Sequence, residues 1–161
     1  MGIVVALGSN LGDRMAALQS ARQHLAQILD HLVAAPIYET APCYVTDQPH
    51  FLNSVVIGKT SMPPGELLHA LQTAEQLMGR APTLRYGPRL IDLDIIYYDN
   101  VIMTERNLTI PHPLRLERRF VLQPLADIAP ELIDPVTQQT IRTQLAQLPS
   151  DPTIIRHASI W

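Results

Sequence analysis

Two aspartates, Asp92 and Asp94, alternate with aliphatic residues in the stretch 91–96. Such alternation is typical of a β-strand, in which side chains two residues apart project from the same face. Two neighbouring carboxylates repel each other and are costly to desolvate, so a positive charge should lie between them. Carboxylate oxygens at this spacing suit Mg²⁺, which takes its other ligands from water and substrate phosphates. The alternative is that both aspartates lie on a solvated sheet face and bind nothing.

Arginines are concentrated around these two aspartates. Seven of the eleven arginines lie between residues 80 and 119, where five acidic residues are found. A metal-bound polyphosphate would use both signs of charge, because guanidinium groups bind its oxygens while carboxylates bind the metal. The alternative is that several of these arginines are solvated or pair with surface carboxylates. The seven are Arg80, Arg85, Arg89, Arg106, Arg115, Arg118 and Arg119.

Two further features bear on a phosphate site. Arg89 follows Gly87-Pro88, a turn that would hold its guanidinium within reach of the aspartates. His112, between two prolines, could donate a hydrogen bond to a phosphate oxygen or be a loop histidine without a role. The glycine-containing turn at 8–12 matches neither the P-loop nor the dinucleotide-binding pattern, so it is interpreted as a tight turn.

Composition limits the class of protein. The chain has 161 residues, 47% of them hydrophobic and 17% charged, and a net charge of −3. It can therefore bury a core, and one domain spanning residues 1–161 is expected. The mildly acidic balance argues against a nucleic-acid or membrane-surface partner. A single cysteine, Cys43, excludes an intrachain disulfide. With no membrane-spanning run and no signal peptide, a cytoplasmic protein is predicted.

Hydrophobic periodicity predicts the elements that must position these residues. The order is strand, helix, strand, strand, helix, strand, which is the pattern of a ferredoxin-like βαββαβ core in an α+β fold. The sheet should be mostly antiparallel with both helices packed on one face, followed by a proline-rich C-terminal extension. The predicted strands are 3–7, 32–40, 51–60 and 91–99, and the helical apolar stripes run from Leu18 to Leu29 and from Leu67 to Met78.

The segment Arg85–Ile96 resembles the signature of the 6-hydroxymethyl-7,8-dihydropterin pyrophosphokinases of folate biosynthesis. The similarity extends in the right order from about residue 3 to about residue 135. The further matching blocks are 6–12, Tyr38–Pro42, Asp47–Asn53, Leu108–His112 and Arg118–Leu125. A chance match of so many ordered blocks is very unlikely.

The resemblance implies transfer of diphosphate from ATP to the hydroxymethyl group of the dihydropterin, leaving AMP. Two Mg²⁺ would be held by Asp92 and Asp94 and bridge the ATP phosphates. The catalytic residues would then be Arg80, Arg89, Asp92 and Asp94. The resemblance places ATP against Gln72, Glu75, Arg80, Arg89, Arg106, His112 and Arg118.

The pterin would bind along the third strand, according to the same resemblance. The Asn53 amide can donate and accept at the pyrimidine edge, and Phe51 and Phe120 would stack on the two faces of the ring. Without the resemblance, both phenylalanines would be taken as core residues. The complete set of pterin contacts is Thr40, Pro42, Cys43, Phe51, Asn53, Tyr86, Asp92 and Phe120. The loop 81–84 is about one residue shorter than is common in the family, and Tyr86 stands where a tryptophan is common.

Only small-molecule partners are expected, ATP and the dihydropterin, acting on a monomer. Two alternatives remain open from the residues. A non-catalytic ferredoxin-like module that binds a small ligand would share the fold. A metal-dependent phosphoesterase would need an activated water and would release phosphate.

Overall fold

The computed structural model describes residues 2–80 and 87–161, and within them it shows an α+β fold with a mostly antiparallel sheet, as predicted. Tyr86 and the loop 81–84 lie outside the described residues. The elements are β1 (Ile3–Ser9), α1 (Arg14–Ile28), β2 (Asp30–Ala34), β3 (Ile37–Thr40), β4 (Phe51–Lys59), α2 (Pro64–Leu77), β5 (Asp92–Tyr98), β6 (Met103–Glu105), β7 (Leu108–Ile110), α3 (Arg119–Ile128), α4 (Ile141–Ala146) and β8 (Ile155–Ala158).

The main sheet is built around β1, which lies between β4 and β5 and pairs antiparallel with both. β2 and β3 pair with successive parts of β4, and β8 pairs with the outer side of β3. The predicted single strand 32–40 is therefore two strands, interrupted at Pro36, whose nitrogen cannot donate to a ladder. The Ser54 hydroxyl lies 2.9 Å from the carbonyl oxygen of Ala35 and 3.1 Å from that of Pro36, so it can donate to carbonyls that the ladder leaves unpaired.

Helices cover both faces of this sheet. On one face α1 and α2 bury leucines such as Leu25 and Leu71 against the sheet, and the predicted placement of two helices on one face is confirmed. On the other face α3 and α4 pack against Val4 and Ile96. Leu93 and Ile95 belong to the α1–α2 side, so the aspartates that alternate with them face the opposite side. α2 ends as the periodicity predicts, with Gly79 in the left-handed region at φ 87°.

The segment after β5 forms a β6–β7 hairpin, the two helices of the second face, and the edge strand β8. Trp161 lies beyond β8 and its indole nitrogen donates to the carbonyl oxygen of Ala35 at 2.7 Å. The Arg22 guanidinium lies 5.3 Å from the centroid of its ring. The chain end is therefore held at the break between β2 and β3. Among the described residues, no helix is long and apolar enough to cross a bilayer.

Candidate active site

A cavity of about 380 Å³ opens on the α3 side of the sheet, where β1, β4 and β5 meet the segment 112–114 and the start of α3. Ten of the sixteen residues that the sequence predicts for the site line it. They are Thr40, Cys43, Phe51, Asn53, Arg89, Asp92, Asp94, His112, Arg118 and Phe120. The fold thus joins residues from both halves of the chain in one place.

The five other described site residues lie outside the cavity lining. Arg80 is adjacent, since it contacts Asp92. Glu75 and Pro42 are buried, whereas Gln72 and Arg106 are exposed at the surface. Roles for Pro42, Gln72 and Arg106 stay predictions, as do those of the residues that line the cavity.

Guanidinium groups face both aspartates at one end of the cavity. Arg89 Nη1 lies 2.9 Å from Asp92 Oδ2, and Arg80 Nη1 lies 3.1 Å from Asp92 Oδ1. Arg118 Nη1 is 3.8 Å from Asp94 Oδ2. The positive charge that two adjacent carboxylates require is therefore present in the protein. It leaves Asp94 the less fully paired of the two.

The charge state of Asp94 reflects this arrangement. Its desolvation, followed by repulsion from Asp92, raises the pKa of Asp94 to about 7, and Arg118 only partly opposes the shift. A divalent cation would favour the charged form, because it offsets both effects. The donor set consists of hard carboxylate oxygens, which suits Mg²⁺. Residues 2–80 and 87–161 contain no cluster of three or more His, Cys, Asp and Glu placed to hold a metal.

Glu75 holds the Arg80 side chain from below the cavity. Its carboxylate accepts a hydrogen bond from Arg80 and, through Oε2, one of 3.1 Å from the backbone nitrogen of Leu93 in β5. Burial raises the pKa of Glu75, and Arg80 opposes the rise. The contacts tie the end of α2 to the beginning of the strand that carries the aspartates.

His112 is held by hydrogen bonds on its backbone and its ring. Its backbone nitrogen donates to the carbonyl oxygen of Ile96 at 2.9 Å, and Nδ1 accepts from the backbone nitrogen of Leu114 at 3.1 Å. Burial and then Arg118 lower the pKa of His112 to about 4, so the ring is neutral at pH 7. With Nδ1 acting as an acceptor, the ring proton lies on Nε2. His112 can therefore donate one hydrogen bond to an anion.

Two N–H donors, one on Arg89 and one on His112, belong to residues that line this end of the cavity. Arg89 Nε is buried and lacks a hydrogen-bond partner among the described residues. A buried donor without a partner costs about 1–3 kcal/mol, which a bound acceptor would recover. Together with the Nε2–H of His112, this donor fits an anionic ligand such as a phosphate group.

The other end of the cavity combines an amide with two aromatic rings. Asn53, only 6% exposed, donates through Nδ2 to Thr40 Oγ1 at 2.6 Å. This bond fixes the orientation of the amide. Phe51 on β4 and Phe120 on α3 both line the same space. An amide that donates and accepts, flanked by aromatic rings, suits a flat heterocycle with polar edges.

Gly8 on β1 makes room for this amide. A Cβ added there would lie 2.8 Å from Asn53 Oδ1 and 3.6 Å from Phe51 Cδ1. The first distance is too short for any real side chain. Glycine at this position therefore leaves the space that the Asn53 side chain occupies.

Gly8→Ala is expected to lower the affinity for the dihydropterin, the ligand that the family resemblance predicts, about fivefold, because the new methyl group displaces the Asn53 amide and breaks a hydrogen bond worth about 1 kcal/mol. Calorimetric titration with the dihydropterin measures the loss. Gly65→Ala is the matched control, since nothing lies within 4 Å of a Cβ at Gly65. Equal affinities of Gly8→Ala and the unmodified protein would contradict this account of Gly8.

Asn10, which lies in the tight turn predicted at 8–12, connects the two ends of the site. It is buried, and its Nδ2 lies 2.9 Å from Gln48 Oε1 and 3.0 Å from the Pro49 carbonyl oxygen. Its Oδ1 accepts from the backbone nitrogen of Arg89 at 2.8 Å, and its own backbone nitrogen donates to the Arg89 carbonyl. One side chain thus fastens the loop 41–50 to the arginine at the aspartate end. The sequence predicts the turn that contains Asn10, but the residues to which Asn10 bonds lie up to 79 residues away along the chain.

Asn10→Ala is expected to weaken binding of the two ligands that the family resemblance predicts, ATP and the dihydropterin, about tenfold, since the Pro49 carbonyl and the Arg89 amide each lose a part-buried hydrogen bond, at about 1–3 kcal/mol in all. Separate calorimetric titrations with a non-hydrolysable ATP analogue and with the dihydropterin measure the two losses. Asn100→Ala, at an exposed position beyond β5, serves as the control. A variant impaired for only one ligand would refute the connection.

Arg118 is held between two aromatic rings, one of which sequence reasoning missed. Its guanidinium carbon lies 5.6 Å from the ring centroid of Tyr44 and 5.5 Å from that of Phe120. Its Nε donates to the Tyr44 hydroxyl at 3.3 Å. These contacts fix the guanidinium facing Asp94. Phe120 therefore contacts the Arg118 guanidinium and also lines the cavity.

Comparison with known proteins identifies a family whose sequences are similar to this chain. Residues 4–130 match the family of 7,8-dihydro-6-hydroxymethylpterin-pyrophosphokinases, abbreviated HPPK. The chain is 41% identical over 149 residues to the 2-amino-4-hydroxy-6-hydroxymethyldihydropteridine pyrophosphokinase of Methylorubrum extorquens, covering 91% of this chain and 92% of that protein. It is 45% identical over 148 residues to the folic acid synthesis protein fol1 of Schizosaccharomyces pombe, covering 91% of this chain and 20% of that protein.

The fold is similar to that of a solved structure from Plasmodium falciparum, described as HPPK-DHPS, with a TM-score of 0.70 at 19% identity. That match covers 91% of this chain and 43% of the other. The chain spans about a fifth to a quarter of the length of the fungal and plant relatives that it matches. The family match nonetheless covers most of the chain, and the bacterial relative matches over nearly its whole length. The chain belongs to the 7,8-dihydro-6-hydroxymethylpterin-pyrophosphokinase family.

Proposed function

We propose that this chain transfers the diphosphate group of ATP to the hydroxymethyl group of 6-hydroxymethyl-7,8-dihydropterin, giving AMP and the pterin diphosphate for folate biosynthesis. One observation carries the proposal. A single cavity joins an end suited to a flat heterocycle, at Asn53 and Phe51, to an end of carboxylates and arginines. Family membership supports the same reaction.

The hydroxyl oxygen of the pterin forms a bond to the β-phosphorus of ATP, and the bond from that phosphorus to the oxygen bridging the α-phosphorus breaks, so that AMP leaves and the hydroxyl proton is released to solvent. Asn53 and Thr40 orient the pterin edge, and the two phenylalanines hold its ring. Arg89, Arg118 and His112 bind phosphate oxygens, and Arg80 adds positive charge beside Asp92. Positioning of the two substrates in one enclosed site supplies much of the rate enhancement. Phosphoryl transfer needs little covalent help from the protein.

Asp92 and Asp94 would hold two Mg²⁺, with the remaining ligands coming from ATP and water. When bound, the metal neutralises charge on the phosphates. Arg89 and Arg118 face the carboxylates, and metal held by Asp92 and Asp94 would leave the positive charge of both guanidinium groups available to phosphate oxygens. We also propose that the chain is a single ferredoxin-like domain that acts as a monomer. A cytoplasmic location stays a prediction, whereas the relative from pea is named as mitochondrial.

Calorimetry tests this function against a module that merely binds a small ligand. The proposal expects a non-hydrolysable ATP analogue to bind with Mg²⁺ and to lose most of its affinity when EDTA removes the metal. The dihydropterin should bind at the same time as the analogue, with one site for each. A pterin-binding protein that ignores the ATP analogue in the presence of Mg²⁺ would contradict the proposal.

A further inference from the structure

A buried polar network lies behind the segment that carries His112. Asp134 is fully buried and accepts hydrogen bonds from Arg115 Nε at 2.6 Å and Arg115 Nη2 at 3.1 Å. It also accepts from the Tyr97 hydroxyl at 2.8 Å and from Gln144 Nε2 at 3.0 Å. We call Tyr97, Arg115, Asp134 and Gln144 the Asp134 network. These contacts hold the pKa of Asp134 far below its usual range, so the pair with Arg115 is ionised at neutral pH.

The network is well satisfied and rigid. The backbone nitrogens of Val136 and Thr137 also donate to Asp134 Oδ1, at 2.8 and 3.1 Å. The Arg115 guanidinium carbon lies 5.9 Å from the centroid of the Tyr97 ring. A charge pair with all its hydrogen bonds met fixes one geometry, because each partner limits the others. None of these four side chains lines the cavity.

One contact leads from the network to the site. Arg115 Nη1, the terminal nitrogen that Asp134 leaves free, donates to the carbonyl oxygen of His112 at 3.1 Å. The backbone nitrogen of Arg115 donates to the same oxygen at 3.2 Å. The turn 112–115 is thereby closed, and within it the backbone nitrogen of Leu114 donates to His112 Nδ1. The guanidinium therefore fixes the turn that decides which ring nitrogen of His112 carries the proton.

We propose that Arg115 and Asp134 are positioning residues, which hold the 112–115 turn so that His112 presents its Nε2–H to a phosphate group in the cavity. The inference rests on the proposed function only for the identity of that ligand. The position and tautomer of the histidine are properties of the free protein. A purely structural pair would stabilise the fold without affecting either.

The paired variant Arg115→Met/Asp134→Asn separates the two roles. Removing only one member would leave a buried charge without its partner, whereas removing both charges avoids that penalty. The asparagine keeps an oxygen for Val136 and Thr137. The double variant should therefore be more stable toward urea than Arg115→Met alone. In both variants the turn 112–115 lacks the hydrogen bond from the Arg115 guanidinium to the His112 carbonyl oxygen. Arg115→Lys is the conservative variant, since it keeps the charge but loses the fixed fork that reaches both Asp134 and His112.

Nitrogen-15 NMR of the histidine rings provides a readout apart from activity, with a His112→Gln spectrum to assign the signals. The unmodified protein should show His112 in the Nε2–H form. The double variant should show a mixture of ring tautomers, and its affinity for the Mg²⁺–ATP analogue should fall about tenfold to a hundredfold. Affinity for the dihydropterin should stay unchanged. For Arg115→Lys, both the tautomer mixture and the affinity for the Mg²⁺–ATP analogue should lie between those of the unmodified protein and the double variant.

Leu25→Ala, in the core on the opposite face of the sheet, controls for lost stability. It should destabilise the fold while leaving the His112 signals and the nucleotide affinity unchanged. Unchanged His112 signals in the double variant, or a similar loss of affinity in Leu25→Ala, would overturn the positioning role. If the double variant fails to fold, Arg115→Lys decides by the same spectra. A shifted His112 tautomer in the double variant, together with no binding of the Mg²⁺–ATP analogue by the unmodified protein, would support the positioning role and show that the proposed function is wrong.

Discussion

Replacing Asp94 by asparagine is expected to lower kcat about a thousandfold, because a metal-bound carboxylate contributes several kcal/mol to stabilising charge in the transition state. The amide keeps the shape of the side chain but removes its charge. Asp94 faces the cavity from β5, and the Arg118 guanidinium lies 3.8 Å from its carboxylate. The fold should remain intact. Steady-state turnover at saturating Mg²⁺, with the circular dichroism spectrum as a check on folding, measures the effect.

Asp99→Asn is the matched control for this variant. Asp99 is exposed just after β5, and its backbone is in the left-handed region at φ 45°, which asparagine tolerates. Its turnover should equal that of the unmodified protein. Turnover of Asp94→Asn within tenfold of the unmodified protein would refute the assignment of Asp94 to the metal.

Asp94→Asn is also expected to change the stability of the fold in a pH-dependent way. The folded-state pKa of Asp94 is raised to about 7, above the unfolded value, so the folded protein binds the proton more tightly. This carboxyl group therefore reduces stability progressively as pH rises from about 4 to about 7, and the cost persists above that. Without Mg²⁺, Asp94→Asn should be more stable to urea than the unmodified protein at pH 8, with the difference fading toward pH 4. A variant that is less stable at pH 8 would contradict the cause given for the shift.

Asn53→Ala is expected to abolish most pterin binding, with an affinity loss of about a hundredfold. A site built to hydrogen-bond a polar edge loses several bonds at once when the amide is removed, at about 1–1.5 kcal/mol each. Affinity for the Mg²⁺–ATP analogue should be retained, because the arginines and aspartates lie at the other end of the cavity. Calorimetric titrations with each ligand separate the two effects.

Thr40→Val gives a graded companion to this change. The valine cannot accept the hydrogen bond from Asn53 Nδ2, so the amide keeps its groups but loses its fixed orientation. Its pterin affinity should fall about tenfold, between those of Asn53→Ala and the unmodified protein. The exposed control Asn100→Ala should bind normally. Equal loss of ATP and pterin binding in Asn53→Ala would show that the two ends of the cavity are not separate sites.

Much of this arrangement follows from local patterns in the sequence. The alternation of Asp92 and Asp94 with Leu93 and Ile95 predicts which side of the sheet each residue faces, and the core packing agrees. Helical stripes and Gly79 predict the two helices for the same reason, since burial and backbone conformation act within a few residues. The functional assignments required the resemblance, because alternation alone cannot distinguish a metal site from a solvated face.

The features that sequence reasoning missed depend on distant partners. Asn10 joins Arg89 across 79 residues, and Arg115 meets Asp134 across 19. Composition and periodicity contain no record of such pairs, which arise only when the chain is folded. Pro36 lies inside the single strand predicted over 32–40, and the division into two strands follows from pairing with separate parts of β4. Arginine clustering was informative as a group, yet one of its members, Arg115, pairs inside the core instead of facing the ligand.

Diphosphate transfer differs from other reactions of ATP in where the β- and γ-phosphorus atoms are found afterwards. Purified protein, Mg²⁺, 6-hydroxymethyl-7,8-dihydropterin and ATP labelled separately at the β- and γ-phosphorus are incubated, and the products are resolved by chromatography. Diphosphate transfer gives one AMP for each pterin diphosphate formed, with both labels in the pterin product and none in AMP. Formation of ADP, or release of either label as inorganic phosphate in place of the pterin product, would contradict it.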